Sequence, residues 1–177
     1  MSRLLNKISN DFKLKLGVTD FILVSIHLFV GLAFWTIYNL DLTSGTNIKY
    51  WVFVYYFLVP LALVGLFFRN LRNFKLYLIW IVIGVIQLII YNSVKDIPDF
   101  QFLMGTSFSG LKALLPTLLV YQIFRLVFFN LRGQEMIVTL SQGRMTMWED
   151  EENRNMTWIE VVFSLLLLGT ILLFNQV

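Results

Sequence analysis

Residues Asp20–Asn39 read DFILVSIHLFVGLAFWTIYN, with no charged side chain between the two ends if His27 is neutral. A helix over this stretch rises about 1.5 Å per residue, enough to cross the roughly 30 Å of bilayer hydrocarbon. Backbone N–H and C=O groups find no water there, so such a run must close its hydrogen bonds within itself and cross as a helix. Four further stretches obey the same rule: Tyr50–Phe68, Leu76–Val94, Phe108–Phe128 and Trp158–Phe174. The fold expected is therefore an all-α membrane protein of five transmembrane helices.

Composition agrees. The 177 residues are 58% hydrophobic and 14% charged, with a mean hydropathy of +0.73, against roughly 45–50% and 25% for a soluble domain. The expected organisation is a basic amphipathic arm over residues 1–17, a four-helix unit over 18–129, a cytoplasmic segment over 130–157 and a fifth helix over 158–177. The arm runs into the first span without a small-residue cleavage site, so that span is expected to be retained.

Basic residues give the orientation, because they resist translocation and collect on the cytoplasmic side. Ten of the 14 lie in the arm (Arg3, Lys7, Lys13, Lys15), the second loop (Arg69, Arg72, Lys75) and the fourth (Arg132, Arg144, Arg154), whereas the first and third loops hold only Lys49 and Lys95. The N-terminus is expected inside and the C-terminus outside, in a bacterial cytoplasmic (inner) membrane. In the arm, Leu4, Leu5, Ile8, Phe12 and Leu16 recur at helical spacing. This is the pattern of a short helix on anionic lipid, with Arg3, Lys7, Asn10 and Lys15 on the wet side; a frayed basic terminus is the alternative.

Sliding the chain so that Phe21 falls on Phe74 also puts Leu23 on Leu76, Ile26 on Ile79, Gly31 on Gly84 and Ile37-Tyr38-Asn39 on Ile90-Tyr91-Asn92. A second register puts Pro60 on Pro116 and Phe68-Arg69 on Phe124-Arg125. These matches suggest a parallel duplication of a two-helix hairpin. Gly31 and Gly84 are expected at close helix contacts. Pro60 and Pro116 are expected to kink their helices and free the carbonyls of Tyr56 and Lys112.

In the fourth loop, Met136–Leu140 and Arg144–Trp148 flank Ser141-Gln142-Gly143 in the manner of a hairpin. The acids Glu149–Glu152 read as a solvated run. Thr157 and Glu160 fit a capping box opening the fifth helix. Arg69, Arg72, Arg132 and Trp148 are the candidate docking residues of this cytoplasmic side.

The chemistry is sparse. There is no cysteine and one histidine, which excludes disulfides, thiolate metal sites, bis-histidine haem and HExxH. No phosphate-binding loop or nucleophile elbow occurs, and no catalytic residue, metal ligand or cofactor is implied. No Asp or Glu falls near a span centre, which disfavours an ion-coupled carrier. The net charge of +3 follows from the loop bias and leaves no nucleic-acid-binding patch. The candidate polar cavity is formed by His27, Gln87, Gln122 and Arg125. His27 is expected to hydrogen-bond within the bundle to Gln87, Gln122 or a tyrosine, and Arg125 and Lys112 to snorkel to opposite interfaces. The function expected is a non-catalytic subunit or accessory factor of a larger membrane complex, in contact with lipid and other membrane subunits and able to form homo-oligomers. A small channel or transporter is the alternative, and a lipid-handling enzyme a third.

Overall fold

A computed structural model describes residues 2–39, 46–98, 101–102, 105–138 and 157–175. Among these residues six α-helices run α1 (Ser2–Lys13), α2 (Val18–Asn39), α3 (Thr46–Gly65), α4 (Phe74–Val94), α5 (Ser109–Arg132) and α6 (Trp158–Asn175). The last five are long and apolar enough to span a membrane. Trp148, Glu149–Glu152 and the second arm of the expected hairpin lie outside the described residues. The first arm is described as far as Val138; residues 135–138 carry no regular secondary structure, and Met136 and Ile137 are buried in the core.

The helix ends have local causes. Asn73 caps α4, its side-chain oxygen accepting the Lys75 N–H at 3.1 Å. At the end of α5, Gly133 takes a left-handed φ of 71° and donates its N–H to Phe129 O, the usual way a glycine closes a helix. The chain reverses there and brings Glu135 back toward α5. Thr157 and Glu160 form one half of the expected capping box: Glu160 Oε2 accepts the Thr157 N–H at 2.9 Å, while the Thr157 hydroxyl donates to the same oxygen at 3.0 Å instead of accepting a backbone N–H. The second span is shorter than its apolar run, since α3 stops at Gly65 and the chain turns before the 3-10 segment Asn70–Arg72. Phe68 and Leu71 are buried beneath that turn rather than extending the helix. The third loop carries the two-residue antiparallel pair β1 (Gln101–Phe102) and β2 (Gly105–Thr106).

The core gathers around α5, which packs against α3, α4 and α6. Gly84 on α4 faces the backbone of α5: a Cβ there would lie 3.3 Å from Leu115 Cα. Gly110 on α5 is tighter still, with a Cβ position 2.6 Å from Tyr56 C and 2.8 Å from Tyr56 O. That oxygen is the one freed by Pro60, so the groove over the released carbonyl is filled by a residue without a side chain. Gly31 differs from its aligned counterpart Gly84, meeting only the Tyr56 hydroxyl at 3.4 Å. Helices α3 and α5 continue through Pro60 and Pro116. Helix α2 stands apart: 11% of its span is buried inside the chain, against 28–39% for the other four.

Candidate functional site

Two polar centres interrupt the apolar bundle. The first is at the middle of α2. His27, 6% exposed, bridges two helices: the Gln87 amide on α4 approaches Nε2 at 2.6 Å, and the Tyr55 hydroxyl on α3 approaches Nδ1 at 2.9 Å. With the Gln87 N–H donating to Nε2, Nδ1 carries the proton and donates to Tyr55. Turning the amide over reverses both bonds and leaves the distances unchanged. In hydrocarbon each of these groups needs a partner, and here one histidine satisfies two neighbours and ties three helices together. Trp80 and Tyr56 flank the imidazole, with ring centroids 5.2 Å and 6.3 Å away.

A cavity of about 320 Å³ opens beside His27 between α2, α3, α4 and the start of α5, and among the described residues no charged side chain lines it. His27, Gly31 and Gln87 line it among the residues that the sequence singled out; Tyr56, Trp35 and Phe34 were not anticipated there. Gln122 and Arg125 do not line it. Gln122 is buried elsewhere on α5, and its Oε1 has no hydrogen-bond partner among the described residues.

Arg125 is a correction to the sequence reading. Instead of snorkelling to an interface it is 1% exposed and centres a second polar group. Its Nη2 donates to Asp11 Oδ2 at 2.7 Å and to Glu135 Oε1 at 3.0 Å, and its Nε donates to Glu135 Oε2 at 2.9 Å. The side-on pair with Glu135 uses the planar fork that only arginine has. Lys7 is 3.1 Å from Asp11 and also pairs with Glu135, so it turns inward and not to the wet side as the arm pattern suggested. Arg72 donates to Met136 O at 3.2 Å and lies 3.8 Å from Glu135. Burial favours the neutral form of the Glu135 carboxyl, but hydrogen bonds and charge from Arg125 and Lys7 outweigh it and hold the group at about 2.

The arm is thus a helix docked on protein. Phe12 packs on Phe74 with ring centroids 4.5 Å apart, and Asp11 reaches into the bundle. Tyr121 donates to Phe68 O at 2.8 Å beside the cluster, while Glu160 Oε1 accepts the Ile137 N–H at 3.1 Å and fixes the strand-like return of the chain. Of the remaining docking residues, Arg132 is exposed and Arg69 half-buried. Lys112 sits over the Tyr91 ring at 5.4 Å, at the opposite end of α5. In sequence Asp11 is the one acid of the basic arm and Glu135 stands between Arg132 and Arg144, but neither placement ties the acid to Arg125 before the helices are packed.

These features define an all-helical protein with five helices long and apolar enough to span a membrane, carrying a cavity within the bundle whose described lining is uncharged and a buried ion cluster at one end. No family model matches the chain, and neither a curated protein nor a solved structure does.

Proposed function

We propose that the chain is a non-catalytic subunit or accessory factor of a larger membrane assembly, seated through α2 against a transmembrane helix of another subunit. The observation that carries this reading is the sparse packing of α2, whose span is 11% buried inside the chain. Lipid wets an apolar flank, but it does not hold a helix in place; that takes close packing and interhelical hydrogen bonds. Helix α2 has hydrogen-bonded anchors at Asp20, which accepts from Asn70 at 2.6 Å, and at His27. Beyond them Phe29 and Leu32 are exposed at 70% and 63%.

The test is a photoreactive residue at Phe29 or Leu32 in native membranes, followed by purification of the tagged full-length chain in mild detergent. A stoichiometric membrane companion joined at α2 is expected. A crosslink between two copies would make the partner this chain itself, and recovery of the uncrosslinked polypeptide alone at every expression level would overturn the reading.

The reading includes an orientation in a bacterial inner membrane, with the N-terminus, the arm and the Arg125 cluster on the cytoplasmic side and the C-terminus outside. The ten-to-two bias of basic residues supports it. A reporter active only in the cytoplasm is expected to be silent when fused to Val177. The parallel duplication is part of the same proposal, supported by the aligned Gly, Pro and Tyr-Asn positions. A channel or transporter is the second reading, favoured by the meeting of His27 and Gln87 on a cavity. The uncharged lining of that cavity favours holding a molecule over passing an ion.

A further inference from the structure

We infer that the cavity beside His27 is a binding site for a neutral lipophile with a planar, carbonyl-bearing ring, the chemistry of a membrane quinone. This goes beyond the subunit reading and stands without it.

The first ground is an unpartnered polar side chain. Tyr56 is 9% exposed and lines the cavity, and its hydroxyl faces Gly31 in the same wall. The hydroxyl has no hydrogen-bond partner among the described residues. A phenol O–H in an apolar wall is costly unless something accepts from it. The half of the Gln87 amide that does not meet His27 is likewise left for an occupant. Together they supply one donor and a second polar point in the lining of the same cavity, which suits an oxygen-bearing head.

The second ground is the character of the wall. Phe34, Trp35, Tyr56 and Phe108 bring aromatic faces to it, and flat rings prefer to pack against such faces. With no charged side chain among the described residues of the lining, a carboxylate or phosphate head would find no counter-ion among them. The volume of about 320 Å³ lies at the lower end of the roughly 300–1,000 Å³ range of small-molecule sites. It suits a ring whose tail leaves toward lipid past the sparsely packed α2, rather than a whole glycerolipid.

The test uses the full-length chain in nanodiscs with decylubiquinone as probe and dioleoylglycerol, an ester-bearing neutral lipid, as the competing chemistry. Intrinsic tryptophan quenching reads occupancy, because Trp35 is in the wall and Trp80 adjoins His27. The expected result is saturable quenching that dioleoylglycerol does not displace. It should be weakened about three- to tenfold by Tyr56→Phe, the loss of one hydrogen bond, and abolished by Gly31→Leu, which fills the cavity. Ile90→Trp fills it from α4 and serves if the glycine variant does not fold. Quenching that never saturates, or that is equal in wild type and Tyr56→Phe, would overturn the site; displacement by dioleoylglycerol would overturn the ring chemistry.

Discussion

Arg125 on α5 and Asp11 on α1 meet at 2.7 Å across a sequence separation of 114 residues, with side chains 2% and 5% exposed. An arginine buried this way is held by its acids, and each acid by the arginine. Removal of one partner strands the others in a low-dielectric site, which costs about 3–5 kcal/mol for a buried pair. Arg125→Met is therefore expected to lower the melting temperature in detergent sharply and to release the arm. Cleavage at Lys13 and Lys15 by trypsin reports that release. Arg125→Lys should recover only part of the loss, because an ammonium does not reproduce the side-on pair with Glu135. Unchanged melting and unchanged cleavage in Arg125→Met would refute the cluster as the anchor of α1.

The docking should depend on pH in a defined window. Glu135 is held at about 2, against 4.5 for an unperturbed glutamate, so its folded value lies below its unfolded one. The stability it contributes is fully present above the unfolded value and is lost as pH falls from there through the folded value. The arm is expected to stay docked down to about pH 4.5 and to loosen progressively toward pH 2. Distance measurement by fluorescence transfer between α1 and α5 follows this directly. Glu135→Gln should loosen the arm at neutral pH and flatten the response below pH 4.5, and an arm already released above that value in the wild type would contradict the assignment.

Much of this architecture could be read from residues, and the part that could not has a physical reason. The spans follow from a local rule, since backbone hydrogen bonding in oil concerns only the stretch itself. The capping box at Thr157 and Glu160 is local in the same sense. His27 could be expected to pair with Gln87 or a tyrosine because few polar groups share its depth. The partners of Arg125 were hidden because Asp11 lies in an arm whose pattern points to lipid, and nothing in the pattern reveals docking on protein. Likewise the end of α3 at Gly65 was hidden by Leu66–Phe68, which are apolar enough to continue a span, although the chain turns there and only Phe68 of the three is buried beneath the turn. Gly110, at the head of α5, gave no sign of its role, which exists only because Pro60 frees a carbonyl on another helix.

The glycines rank by the space around them. A methyl at Gly110 would sit 2.6 Å from the Tyr56 backbone, so Gly110→Ala must push α3 and α5 apart. Overpacking of this kind costs typically about 1–3 kcal/mol, and rigid backbone on the far side places it at the upper end. Gly84→Ala meets Leu115 at 3.3 Å and should cost less, because a small helix shift relieves it. Gly169→Ala on α6 has nothing within 4 Å, and alanine is the better helix former by about 0.8–1 kcal/mol in water, so it should be neutral or slightly stabilising. Thermal melting of the three variants in one detergent checks the order; a Gly110→Ala protein as stable as Gly169→Ala would mean that the two backbones do not approach as described.

The bond between His27 and Gln87 predicts a non-additive pair. In Gln87→Leu, His27 loses one partner while remaining buried, and in His27→Phe both Gln87 and Tyr55 lose theirs. Removal of one side of a buried hydrogen bond costs about 1–3 kcal/mol, whereas removal of both can be nearly neutral. The double variant is therefore expected to be more stable than the sum of the singles implies. The coupling should be about 0.6–1.7 kcal/mol, the range for interhelical bonds in a bilayer, read from unfolding in mixed micelles. Strict additivity would show that the 2.6 Å approach does not hold the helix, and α2 would then owe its position to Asp20 and whatever packs on its outer flank.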